Sequence, residues 1–300
     1  MTSTQFQAAI DQAMALPCWQ APENPRVLEG GITNVNLLIA DQGQDYVVRM
    51  GADIPEHGIM RFNELAISRA AHAAGISPAV HYAEDGILVL EYIESTSLTD
   101  ADVREPDMLL QVVELLGRVH RDLEGFARGP ILSFWVFHVL RDYAARLIGE
   151  GSPYAKILPD LMAQAQEFAD CIGAVDLVLA HNDLLPANIL RGSDRLWLID
   201  WEYGGFNSSL FDLGGLATNC GLDGSAEEVM LTAYFGETPD ARLIRRYEAM
   251  KCASLLRETM WSMVSEVTSK IDFDYAQYTA ENLARYKSAY QNYLSIRGAK

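Results

Sequence analysis

Asp183, Asn188 and Asp200 are the residues whose types and spacing suit a chemical task. They fall in LAHNDLLPANILRGSDRLWLIDWEYGG, residues 179–205, where short polar islands break apolar runs. Asn188 lies five residues beyond Asp183, the D-x-x-x-x-N spacing of a phosphoryl-transfer catalytic loop. In such a loop the Asp accepts the proton of an attacking hydroxyl, and the Asn side-chain oxygen holds a divalent cation. Asp200 ends the next apolar run. Its carboxylate is a hard oxygen ligand, suited to Mg²⁺ bridging two phosphates. A lone Asp or Asn in a loop is ordinarily a cap or turn residue. The functional reading rests on the combination of H-N-D-x-x-P-x-N with I-D-W-E. His181 reads as a brace of the loop through hydrogen bonds, and Pro186 as a residue that shapes it.

Period changes along the chain give the elements that must position these groups. Phe6, Ile10, Ala13 and Met14 recur at helical spacing and predict a short opening helix. VNLLIA and DYVVRM, separated by DQGQ, predict a hairpin. MRFNELAISRAAHAA, 60–74, predicts a helix stopped by Gly75, and ISPAVHYAEDGILVLEYI predicts two more strands. The first third is therefore a small antiparallel sheet with one helix after its third strand. The polar stretch ESTSLTDADVREP, 94–106, reads as a linker. Helices are predicted over 107–122, 133–149, 155–172, 225–235, 239–269 and 274–296. Between them, VLAHNDLL and RLWLID read as two short strands forming one hairpin that brings Asp183 and Asp200 together. The expected fold class is α+β and bilobal. Residues 1–94 form a β-rich lobe, 95–300 a helical lobe, and the cleft between them is the natural site.

Composition sets the outer bounds. The chain has 300 residues, and apolar residues make up 49% of them, enough for a sizeable core. The net charge of −18 offers no basic footprint for nucleic acid. The acidity suits a cationic substrate, although solubility is the simpler reading. Cys18, Cys171, Cys220 and Cys252 form no CxxC, which argues against a zinc site or a disulfide framework and fits a reducing, cytoplasmic compartment. The N-terminal residues lack the pattern of a signal peptide. The longest apolar run, 131–140, is too short to span a bilayer, so no membrane insertion is expected. A homodimer stays open at this level.

HNDLLPANIL followed by LIDWEYGGFNSSLFDLG resembles the choline/ethanolamine kinase branch of the aminoglycoside phosphotransferase-like superfamily. The resemblance runs from about residue 26 to about residue 290. HND paired with ID-x-EY is the specific part, because aminoglycoside kinases usually show HGD there. The resemblance implies a protein-kinase-like fold, with ATP and Mg²⁺ as cofactors. It makes Asp183 the catalytic base, Asn188 and Asp200 the metal ligands, and Asp212 a prop of the catalytic loop.

The ATP side follows the same likeness. LEGGITNVN, 28–36, resembles the family's GG-[IL]-TN segment; Gly30 and Gly31 allow a tight turn, and Thr33 and Asn34 offer donors to phosphates. Arg49 stands where protein kinases place a strand Lys, and its guanidinium can hold two phosphate oxygens. Glu64 is its expected partner. ILVLEYIE resembles the hinge, with backbone around Glu91 and Ile93 meeting adenine.

For the acceptor, LLRETMWSMVSEVTSKIDFDYAQY, 255–278, resembles a C-terminal stretch of choline kinases with Trp261 in the telling position. A quaternary ammonium is held by aromatic faces and nearby acids. Trp261 and Tyr203, with Phe273 or Tyr275, are the aromatic candidates, and Glu202 and Glu258 the acids. Aromatics at helical spacing are otherwise core. Asn219 stands where eukaryotic members carry an acid, which leaves ethanolamine or another small amino alcohol open beside choline. The leading expectation is transfer of the ATP γ-phosphoryl to the hydroxyl of choline or ethanolamine. Kinases of the same fold for an aminoglycoside, thiamine or a sugar, and a non-catalytic pseudokinase, are the alternatives.

Overall fold

Leu37, Ile39, Val48, Ile87 and Val89 recur at alternate positions of their strands, so each strand turns an apolar face the same way. The strands are β1 (Pro22–Leu28), β2 (Val35–Asp41), β3 (Gln44–Met50), β4 (Val80–Glu84) and β5 (Ile87–Glu91). They form one antiparallel sheet in the order β1-β2-β3-β5-β4. Helix α1 (Ser3–Met14) covers the apolar face through Ala13, with Leu16 just beyond it. Gln42 and Gly43 both have positive φ, 53° and 79°, as the tight β2–β3 hairpin requires. The protein is seen here in a computed structural model that describes residues 3–28 and 34–297. Gly30, Gly31 and Thr33 of the expected phosphate turn lie outside the described residues.

Helix α2 (Arg61–Ala73) follows β3, as the sequence predicts. Its Ile67, Ala70 and Ala71 join the large core of the rest of the chain. That core is built by α3 (Asp100–Arg104), α4 (Pro106–Phe126), α5 (Val136–Gly149), α6 (Leu158–Ile172), α7 (Ser209–Cys220), α8 (Gly224–Phe235), α9 (Ala241–Thr268) and α10 (Tyr275–Arg297). No helix among the described residues is long and apolar enough to cross a membrane.

Three expectations are corrected. The stretch 94–106 is not a plain linker. β6 (Thr96–Ser97) pairs with β8 (Ile189–Arg191), and Thr99 and Asp102 form a reciprocal capping box at the start of α3. Ser, Thr and Asp read as loop formers because they bond to nearby backbone, and here that tendency starts a helix. The strands near Asp183 and Asp200 are not one hairpin either. β7 (Leu177–Ala180) pairs with β10 (Gly205–Ser208), whereas β8 pairs with β9 (Leu196–Leu198). Finally, β10 and α7 carry no clear sequence signal. GFNS has no β-branched run, and the glycines of SLFDLGGLATNC weaken its helical propensity. In the fold they have a use: a Cβ on Gly214 would stand 3.0 Å from Lys251 Cα, so a side chain there would hold α7 off α9.

Candidate active site

The catalytic loop begins where β7 ends. Asn182 takes a left-handed conformation, φ 67°, and turns the chain so that Asp183 faces outward from the strand end. Asn182 Nδ2 donates to Tyr203 O at 3.0 Å, and its Oδ1 accepts from Asn207 Nδ2 at 2.8 Å. The loop is thereby tied to β10. Asp212, at the start of α7, accepts from the backbone N–H groups of His181 and Asn182, both at 2.8 Å, and from His120 Nε2 at 3.0 Å. Burial alone would raise its pKa, but the His120 hydrogen bond and the two imidazoles hold it below the usual carboxylate range. His181 Nε2 donates to Ile199 O at 2.8 Å, and Nδ1 accepts the Asp183 N–H at 3.3 Å. Burial keeps this ring neutral by lowering its pKa. His181 therefore fastens the Asp183 loop to the segment that carries Asp200.

Asn188 sits in a single 3-10 turn, Pro186–Asn188, and its Nδ2 donates to Asp183 O at 3.1 Å. The side-chain oxygen is left for another partner. Ile199 N donates to Asn188 O at 3.0 Å, which locks the two candidate metal ligands' segments together. Asp200 has φ 70°, a strained setting for a non-glycine residue. Burial raises its pKa against the pull of Arg49. Burial likewise pushes Asp183 up to about 8, opposed by Arg257.

Arg49 on β3 is the centre of an ionic cluster. Its Nε meets Glu64 Oε1 at 2.6 Å, and its Nη2 meets Asp200 Oδ1 at 2.6 Å and Glu202 Oε2 at 2.8 Å. Burial opposes its charge, but Asp200, then Glu64 and Glu202, hold it protonated. Arg61 adds a second cation, with Nη1 2.5 Å from Glu64 Oε2 and 3.4 Å from Glu202 Oε2. Asn34 Nδ2 donates to Glu202 Oε2 at 2.9 Å. Glu202, an expected acceptor contact, thus stands among the groups of the phosphate side. The reason is its position two residues past Asp200, on the same turn that faces Arg49.

Arg49, Glu64, Glu91, Ile93, Asn188 and Asp200 all border one cleft of about 380 Å³ between the five-stranded sheet and the β8–β9 hairpin. Val47, Leu88, Leu90 and Ile199 give it an apolar floor. One end is apolar, suiting a flat ring, and the other is charged, suiting phosphates. Two hard oxygen donors, from Asn188 and Asp200, border the charged end and would suit a Mg²⁺.

A second, much smaller pocket of about 20 Å³ lies beside Asp183. Asp183, Phe211, Thr218, Asn219, Arg257 and Glu258 surround it. Tyr203 and Trp261 are not part of this lining. Trp261 Nε1 donates to Tyr203 OH at 2.8 Å, and the Trp261 ring packs against His57, Tyr275 and Tyr278. The two aromatics expected to face the acceptor are buried and bonded to each other, and Phe273 is half exposed beside Tyr275 and Tyr278. Asn182, Asn207, Arg61 and Arg257 contribute to the site without having been singled out by their types. Lone Asn and Arg residues carry no pattern of their own.

Fold and site together define a phosphotransferase of the protein-kinase-like fold, with an alcohol group as acceptor. The choline/ethanolamine kinase family model matches residues 26–230, and the chain belongs to that family. It is 28% identical over 262 residues to protein LicA of Haemophilus influenzae, covering 85% of this chain and 76% of that protein. It is 28% identical over 295 residues to a probable ethanolamine kinase of Arabidopsis thaliana, covering 87% and 78%. The crystal structure of a choline/ethanolamine kinase family protein from Mesorhizobium loti shares its fold, with a TM-score of 0.77 at 23% identity, covering 97% of this chain and 98% of that one.

Proposed function

We propose that the chain transfers the γ-phosphoryl of ATP to the hydroxyl of a small amino alcohol whose nitrogen carries N–H groups, ethanolamine fitting better than choline. One observation carries the choice of acceptor. The pocket beside Asp183 is lined by Asn219, Thr218 and Glu258 with a single aromatic, Phe211, whereas Trp261 and Tyr203 bond to each other outside it. An ammonium with N–H donors satisfies such oxygens, and a quaternary ammonium needs aromatic faces instead.

In this reading Asp183 accepts the hydroxyl proton as the acceptor oxygen bonds to the γ-phosphorus and the bond to the ADP oxygen breaks. Asn188 and Asp200 would hold Mg²⁺, which would supply charge neutralisation at the phosphates. Arg49, positioned by Glu64, exchanges its bonds to Asp200 and Glu202 for phosphate oxygens. Backbone at Glu91 and Ile93 receives adenine, and Asn34 lies on the phosphate side beside Glu202; the roles of Gly31 and Thr33 rest on the family resemblance alone. Residues 1–94 supply the nucleotide lobe, and 95–300 the catalytic loop and acceptor pocket. Steady-state kinetics with ethanolamine and choline test the acceptor. The reading expects kcat/KM for ethanolamine about ten-fold or more above that for choline, the scale of one lost charge-assisted hydrogen bond. A preference for choline contradicts it.

A further inference from the structure

Arg257 projects from α9 into the acceptor pocket with its hydrogen bonding incomplete. Its side chain is 5% exposed. The guanidinium lies 4.5 Å from the centre of the Tyr203 ring and 5.3 Å from that of Phe134, and these faces fix its plane. Nη1 donates to Glu258 Oε2 at 2.7 Å, and the other Glu258 oxygen accepts from Tyr278 OH at 2.7 Å. Nε and Nη2 of Arg257 have no partner among the described residues. Burial opposes the charge, yet Glu258, foremost among its neighbours, keeps the group protonated. Charged donors buried without an acceptor are costly and rare, and a site bordering on a reacting group is where a ligand supplies what the protein omits.

We propose that Arg257 is a specificity-determining residue that donates to a second oxygen of the acceptor. The preferred amino alcohol then carries an oxygen function besides the hydroxyl that is phosphorylated. This rests on phosphoryl transfer to an amino alcohol at Asp183. Ammonium and oxygen have separate addresses in the pocket. Glu258 and Asn219 offer lone pairs to N–H groups, whereas Arg257 offers only donors and repels a cation. The Glu258 carboxylate already pairs with the guanidinium, so a neutral oxygen fits better than a further carboxylate. The substrate class is an aminodiol or a hydroxyl-bearing amino amide. Ethanolamine and choline each have one oxygen, the one that reacts, and leave Nε and Nη2 of Arg257 unmet.

The test measures kcat/KM for ethanolamine, choline, 2-amino-1,3-propanediol and serinamide with the wild-type chain, Arg257→Met and Arg257→Lys. Thermal melting checks each variant, and calorimetry compares binding of the aminodiol and ethanolamine to the wild type. The proposal expects the aminodiol to exceed ethanolamine about ten-fold or more in the wild type. Arg257→Met should erase that ratio, and Lys should restore part of it. Ethanolamine or choline as the best acceptor overturns the proposal. An unchanged ratio in Arg257→Met does too, since water then meets the free N–H groups. An equal loss for every acceptor assigns Arg257 to the phosphoryl group instead and also overturns it. If Arg257→Met does not fold, the wild-type ratio and calorimetry decide. Turnover of ethanolamine without the preference sinks this proposal alone, and no turnover of any acceptor sinks the kinase reading with it.

Discussion

In the proposed reaction Asp183 does the chemistry, whereas Asp212 supports the loop that carries it. Asp183→Asn keeps the shape of the loop and removes the proton acceptor. Turnover should fall by about 10²–10⁴-fold, with ATP affinity by calorimetry nearly unchanged. Asp212→Ala should behave differently, because it strips the acceptor from two buried backbone N–H groups and from His120. It should cost about 3 kcal/mol of stability in urea unfolding, and lower activity through a loosened loop. A stability loss in Asp183→Asn larger than that of Asp212→Ala would reverse these roles. Much at this scale was legible in sequence. HND, PAN and LID name the groups at the cleft, and Arg49 and Glu64 are recognisable from the strand and helix that carry them. Arg61, Arg257 and Asn207 were not, because their contacts with Glu202, Tyr203 and Asn182 join residues far apart in sequence.

The elements were readable where period and turn chemistry agreed. The β2–β3 hairpin and α2 are both strongly patterned. The pairing of β7 with β10 was not, since the apolar strand after Asn188 offers an equally good local partner and only the tertiary fold chooses between them. Helix α7 is the element to probe. It carries Asn219 at one end of the pocket and packs through Gly214 on α9, which carries Arg257 and Glu258. A Val at position 214 must push against Lys251 backbone, which cannot swing aside. Gly214→Val should cost about 1–3 kcal/mol and raise KM for the acceptor more than KM for ATP. Equal changes in both would show that α7 and α9 do not set the pocket.

Across the whole molecule, a few buried bonds tie the stretch between β3 and β4 to the rest of the chain. Asn63 Nδ2 donates to Gly204 O, and its Oδ1 accepts from Leu132 N. Ser77 Oγ donates to Leu198 O. His57 meets Tyr143 OH at 3.2 Å and Ser265 Oγ at 3.1 Å, and its ring packs on Trp261. Burial, then Arg257 and Arg146, pushes the His57 pKa down from 6.5 to about 3. Below pH 6.5 the unfolded chain gains a proton there that the folded chain does not, so this contribution to stability is complete above pH 6.5 and lost as pH falls. Between pH 7 and pH 5 the loss should be about 2 kcal/mol, and His57→Gln should flatten the slope by that amount; parallel slopes would contradict it. The bilobal plan was legible because the change from strand period to helix period is abrupt, whereas these cross-links are not, being single polar residues in apolar surroundings. The central claim joins all three scales: one phosphate is transferred at Asp183 to an amino alcohol. Phosphorus NMR of the chain with ATP, Mg²⁺ and ethanolamine or 2-amino-1,3-propanediol tests it most directly. A phosphomonoester of the alcohol should appear with ADP and be absent with Asp183→Asn; ADP and free phosphate without that ester, or an undiminished ester from Asp183→Asn, would contradict it.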